Sequence, residues 1–378
     1  MCGRDRERES VRETERERER GRKREKENER EREREREGER ERERETESLI
    51  FILFFKISHI SDFFLSTVIF FFIFYIFDFS CLAFFIISNF KALKLDTLLL
   101  LRQTLESHIP QALQPFLSRL LPLIVSCVNE DWFKIIAESL RTLGAVILVA
   151  RPQLNDNNDN SKSNSKSNSN SNNNITELGN NGNEEYNFRP LVLPIYNSVL
   201  TRLEALDIDQ EIKDCSIATV GRLFAYFGDE LKQQLPIVLN LLKKKLENEN
   251  TRTQTLKSIS ILANSKLNLD LSSVLLESTS ELSLFLRQKS RSLKQITLFT
   301  LDSLINSKSV ILRDGDINTI LLETSSLIND NDLHLTYLAL NLTLSILKSN
   351  YDSIIIVKNY IYPKMIELAS SPLLQGSD

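Results

Sequence analysis

Histidine and cysteine are scarce in this sequence, and their placement excludes more than their number does. The three histidines, His59, His108 and His334, lie too far apart for any two to stand at metal-ligand spacing, so no zinc or similar centre is expected. The four cysteines, Cys2, Cys81, Cys127 and Cys215, form no Cys-x-x-Cys pair and no regular series. That pattern argues against a disulfide framework and fits buried, inert thiols in a reducing compartment. No glycine-rich phosphate loop, G-x-S-x-G elbow or H-E-x-x-H motif is present, and the chemistries those motifs carry are left without candidates. A formal net charge of −4 over 378 residues points to no polyanionic partner, nucleic acid included. No cofactor, no metal and no catalytic activity are expected.

What is present is uneven. Residues 1–48 are almost wholly Arg and Glu, residues 49–90 are dominated by Phe and Ile, and residues 91–378 have the composition of soluble helical protein. In the run "ERERERERE" like charges fall at i,i+4 and opposite charges at i,i+3, so pair stabilisation largely cancels. With few apolar residues the segment has no core to form, and disorder is expected. Glu neutralises nearly every Arg there, so counterion release would give an RNA-binding tail little affinity. The stretch "FFLSTVIFFFIFYIFDFSCLAFFIISNF" is apolar enough to span a bilayer, with Asp78 inside it. A simple AG repeat in nucleic acid also translates as Arg-Glu, and T-rich sequence as Phe, Ile and Leu. Residues 1–90 are therefore expected to be a gene-model artefact, with a membrane helix at 49–90 as the alternative.

Beyond residue 90 a pattern recurs. From Leu93, a step of four reaches Thr97 and a step of five reaches Leu98. The same steps lead from Ile135 to Ser139 and Leu140, from Ile212 to Ser216 and Ile217, and from Gln254 to Ser258 and Ile259. They lead again from Leu293 to Thr297 and Leu298, and from Leu335 to Ala339 and Leu340. Successive anchors are 42, 77, 42, 39 and 42 residues apart, and the long interval holds an Asn/Ser tract at 155–187. Such positions share one helix face, and a small residue at the fourth step lets a neighbouring helix come close.

The turns before these anchors are rich in Asp and Asn, and contain Asp131, Asp207, Asp209 and Asp332. Asp209 and Asp332 stand where a helix needs an N-cap. Lys213 lies four residues after Asp209, within reach along the helix face. Prolines often fall in the helix before the turn, as in "QALQPFLSRLLPLIVSCV" and "RPLVLPIYNSVLTRLEAL", where they bend the helix or mark its first turn. The predicted fold is all-α, a HEAT-type superhelical solenoid of about six helical hairpins with a period of forty-odd residues. It covers 91–154 and 188–378, with a disordered tail at its N-terminus and a disordered Asn/Ser insertion looping out between repeats.

Several stretches resemble the cullin-associated, neddylation-dissociated (CAND) protein family. They are "RLEALDIDQEIKD", "LSLFLRQKSRSLKQITLFTLDSLI", "LINDNDLHLTYLALNLTLSIL" and "SSPLLQG", with "LKLDTLLLL" and "LPLIVSCVNEDWFKIIAESL" following the same family order. The resemblance covers about residues 90–378 apart from the Asn/Ser tract. It implies a HEAT-repeat scaffold that wraps a cullin–RING ubiquitin ligase core, binds unneddylated cullin, and promotes substrate-receptor exchange without catalysis. It also implies that this chain is a middle portion, with both ends of the stack short of the polar caps solenoids use.

The basic cluster Arg287, Lys289, Arg291 and Lys294, with Arg252 one repeat earlier, is the candidate surface for an acidic partner, against a reading as dipole-compensating helix ends. Trp132 is expected to pack within its turn, and His334 to lie on the surface. Two other functions fit a helical array: a karyopherin-like carrier, and a membrane-tethered adaptor using residues 49–90. The cytoplasm or nucleus is the expected location.

Overall fold

The computed structural model describes residue 86 and residues 90–152, 186–205, 209–307 and 313–371. The readings of residues 1–85, of the Asn/Ser tract, of Asp207 and of the terminal Pro372–Gly376 lie outside them. Among the described residues there are helices and turns and no strand. Eleven helices of three to five turns come in order: α1 (Lys91–Ser107), α2 (Pro110–Val128), α3 (Phe133–Ala150), α4 (Arg189–Glu204) and α5 (Gln210–Phe227). Then come α6 (Leu235–Glu247), α7 (Glu249–Ala263), α8 (Ser272–Arg287), α9 (Arg291–Asn306), α10 (Asp314–Ser325) and α11 (Leu333–Ser349). A 3₁₀ turn at Tyr351–Ser353, one α turn at Ile354–Ile356 and a π-helical stretch at Val357–Ile361 lead into α12 (Tyr362–Ala369).

The helices form two rows. The odd helices α1, α3, α5, α7, α9 and α11 each pack most extensively on a neighbouring odd helix. In the even row α2 meets α4, and α8 meets both α6 and α10. Each hairpin therefore buries its apolar stripe against its neighbours, which makes the array a solenoid of stacked pairs. Leu98, Leu117, Ile135, Leu140, Val199, Phe224, Leu242, Leu256, Leu301 and Leu342 line the space between the rows, each 1% exposed or less.

Local sequence explains which helix joins which row. Prolines occur only in even-row helices: α2, α4, α6 and α12 carry one at their first turn, and α2 and α4 hold Pro115, Pro122 and Pro194 inside. A first-turn proline loses no hydrogen bond, because that N–H has no partner within the helix. Four of the odd-row helices, α5, α7, α9 and α11, instead start on side-chain caps. Asp209 accepts from the Glu211 N–H at 2.8 Å, Asn248 from Asn250 at 3.0 Å, Ser290 from Leu293 at 3.3 Å and Asp332 from Leu335 at 3.1 Å.

Hydroxyl groups tie the odd row together. The tenth residue of each odd helix from α3 to α9 donates to the carbonyl of the eighth residue of the odd helix before it. Thr219 reaches Leu140 at 2.9 Å, Ser258 reaches Ile217 at 2.8 Å, Thr300 reaches Leu256 at 3.1 Å, and Thr142 makes a long 3.5 Å contact with Leu98. This register corrects one anchor. The residue of α7 equivalent to Ile135 and Ile212 is Thr251, one turn before Gln254. Thr251 is buried and Gln254 only half-buried. A spacing of zero, four and five fits equally well one turn along, since helix faces recur every three to four residues.

The flanks of residues 153–185 meet. The Arg151 guanidinium lies 4.8 Å from the centre of the Phe188 ring, which stacks on Phe227 at 5.1 Å. Arg151 also donates to the Tyr226 carbonyl and to Asp229, both from its Nη1. Of the described helices, α2 alone is long and apolar enough to cross a membrane. It instead buries Leu113, Leu117, Leu120, Leu121 and Ile124 against its neighbours.

Candidate interaction surface

Most of the predicted charged residues are engaged within the array. Arg252, on α7, donates from Nε to the Leu246 carbonyl at 3.2 Å and from Nη2 to Glu247 at 3.1 Å, closing the end of α6. Its guanidinium also lies 4.4 Å from the Phe285 ring centre on α8, a cation–π contact. Arg287 forms a two-pronged pair with Glu323 of α10, its Nε lying 2.7 Å from Oε2. Arg291 makes the same kind of fork with Asp332, the cap of α11. Lys294 is half-buried and forms no ion pair among the described residues. Three of these four cations therefore fasten one repeat to the next.

The turn residues divide. Asp209 and Asp332 cap their helices as their positions predict. The Asp209–Lys213 pair does not form, because the carboxylate is turned onto the Glu211 N–H. Lys213 instead faces Lys245 of α6, whose ammonium burial and that neighbouring charge hold below its ordinary range. Asp131 is exposed in its turn, and Trp132 holds the N-cap position of α3 without a side-chain bond. Trp132 is half-buried, with the Lys134 ammonium 5.9 Å from its ring centre. His334 is exposed near the start of α11, and His108 ends α1 with its ring Nδ1 3.0 Å from the Thr104 carbonyl oxygen.

The outward face of the odd row has a feature the sequence reading did not pick out. Ala218 and Gly221 occupy positions of α5 where α9 carries Phe299 and Asp302. The short Ala218 side chain leaves a trench along α5, between α3 and α7, of about 500 Å³, while the space beside Gly221 is taken by Ser258 of α7. Arg141, Gln210, Asp214, Arg222 and Gln254 stand along it. Gly144 of α3 provides the shelf for Arg222: a Cβ there would lie 3.0 Å from the Arg222 Nη1.

Charges around the trench are unequally matched. Glu138, with its side chain 3% exposed, is held between Arg102 and Arg141. Arg141 also pairs with Glu211 across the α3–α5 seam. Asp214 accepts from the Gln210 amide at 3.0 Å, and burial pushes its carboxyl up despite that bond and nearby Lys257. Arg222 forms no ion pair among the described residues. Among those residues, no cluster of His, Cys, Asp and Glu could hold a metal ion.

Comparison with known proteins now bears on this array. The sequence profile of a family described as "CAND1-like, TPR repeats" matches residues 85–220. Cullin-associated NEDD8-dissociated protein 1 of Arabidopsis thaliana is 34% identical over 292 residues, covering 76% of this chain and 22% of the relative. The chain belongs to the CAND family. The Dictyostelium discoideum protein of the same name is 30% identical over 287 residues, covering 75% of this chain and 21% of its own length. Cullin-associated NEDD8-dissociated protein 2 of Mus musculus is 29% identical over 291 residues, with 76% and 21% covered.

The CAND-family chain thus spans about a fifth of the length of the curated relatives it matches. Although the profile's description mentions TPR repeats, the hairpin period here, 39 residues from Ile212 to the equivalent Thr251 and 42 from Thr251 to Leu293, is close to forty. That falls at the HEAT and armadillo end of the range and well above the TPR length of about 34. A designed armadillo repeat protein solved with a (KR)4 peptide superposes with a TM-score of 0.47 at 11% identity, covering 70% of this chain and 97% of its own.

Proposed function

We propose that this chain is a non-enzymatic scaffold segment that binds the unneddylated cullin–RING ligase core, through cullin and RING subunit, and contributes to substrate-receptor exchange in the cytoplasm or nucleus. The observation that carries the reading is the match to cullin-associated NEDD8-dissociated proteins along three-quarters of the chain. The two-row array suits such a role, because stacked repeats present a long continuous face on which many weak contacts add. The experiment is capture of the purified chain on immobilised cullin–RING core, once unmodified and once carrying its ubiquitin-like modifier. Capture by the unmodified core alone supports the proposal. Equal capture by both forms, or by neither, removes it. Binding of a Ran-type GTPase in place of cullin would make the chain a karyopherin-like carrier. The exchange step is tested by the release rate of a labelled substrate receptor with and without the chain.

A further inference from the structure

We propose that the α5 trench is the seat of a short extended acidic segment of the partner, with Arg222 as the group that anchors its carboxylate. The inference rests on the cullin-binding reading and names the chemistry of one contact within it. Gln210 to Arg222 spans about 18 Å of helix, the length of roughly five extended residues. Ala218 makes the floor: only a methyl group projects from it, so a backbone can lie close to α5 there. Gly221 beside it is covered by Ser258 of α7, and Gly144 of α3 by Arg222.

The walls supply the recognition. Arg141 is held in place by Glu138 and Glu211, which leaves it little capacity for a further anion. Arg222 differs: it lies over the Gly144 shelf and, among the described residues, pairs with no carboxylate. A guanidinium offers a planar fork of donors that matches a carboxylate in two-pronged geometry. The Gln254 amide, half-buried on the facing wall, has both a donor and an acceptor for a passing peptide backbone. Asp214 and Glu211 at the other end of the trench oppose a second anion there, so one orientation of the segment is favoured: carboxylate toward Arg222, uncharged or basic residues toward Gln210.

The test measures affinity of the full chain for unmodified cullin–RING core by biolayer interferometry, with thermal unfolding of each variant as the control for folding. Ala218→Arg fills the trench, Arg222→Glu reverses the anchor, Arg222→Lys keeps the charge without the fork, and Lys244→Glu alters an exposed site on α6. Expected are losses of about tenfold or more for Ala218→Arg and Arg222→Glu, a smaller loss for Arg222→Lys and none for Lys244→Glu, at unchanged melting temperature. Wild-type affinity in both Ala218→Arg and Arg222→Glu overturns the trench while leaving cullin binding intact. Failure of the wild-type chain to bind removes the cullin reading and this inference with it. Should Ala218→Arg melt early, Arg222→Glu alone decides, since its side chain lies at the surface of the groove.

Discussion

Gly221 of α5 and Ser258 of α7 touch backbone to backbone: a Cβ added to the glycine would lie 2.8 Å from the Ser258 Cβ and 3.1 Å from its Cα. The same serine donates to the Ile217 carbonyl one turn away. The absent side chain thus sets how near two repeats can come. Gly221→Ala is expected to push α5 and α7 apart and to cost about 1–3 kcal/mol, as overpacking of a close contact does. Denaturant unfolding would show it as a lower midpoint at unchanged slope. A variant as stable as the parent would mean the seam has slack.

Asp332 offers a pH test. The fork from Arg291, helped by the Leu335 N–H, holds its carboxyl at about 2, below the ordinary 3.8. A carboxyl depressed in the folded state stabilises the fold above its unfolded pKa and loses that contribution as pH falls through the folded one. Asp332→Asn keeps an N-cap acceptor and removes the charge. The melting-temperature gap between parent and variant is expected to be widest near neutrality and to close between pH 4 and pH 2. Salt should narrow it too, because the pair is exposed. A gap constant over that range would show that the ion pair adds nothing.

The thiols should resist chemistry. Burial raises the Cys215 thiol from 9.0 to about 11, against the opposing charge of Arg141, and burial also raises Cys127. Since the thiolate is the reactive form, alkylation at pH 8 should run at least about a hundredfold slower at Cys215 in the folded protein than in the unfolded chain. Peptide mapping after iodoacetamide reads each cysteine separately. Native labelling of Cys215 at the unfolded rate would contradict its packing.

Much of the array was legible because its signals are local. Caps need one oxygen before a helix, and Asp209 and Asp332 supply it; first-turn prolines mark the even row. The anchors worked wherever an apolar residue began the face, and slipped by a turn at α7 because the equivalent position there is a threonine, Thr251. The cations were harder to place. Nothing near Arg287 in sequence reveals Glu323, which is 36 residues away, so long-range partners made a basic cluster look unoccupied. The close seams left a fainter mark: Gly144 and Gly221 are 77 residues apart, the same interval as Ile135 and Ile212. A glycine recurring at one helix position pointed to a place where something approaches closely.

The hydroxyl rungs run from α1 to α9 and stop there, for the tenth residue of α11 is Leu342. Among the described residues, the hydrogen bonds at that junction run between side chains: Ser345 meets Asp302 at 2.6 Å and Asn306 at 3.1 Å, beside the Arg291–Asp332 fork. Side chains rotate where a carbonyl does not. Under tension or twist, the α9–α11 seam would therefore give by side-chain rotation, where the earlier seams are pinned to backbone: a hinge that bends by re-pairing its fingers.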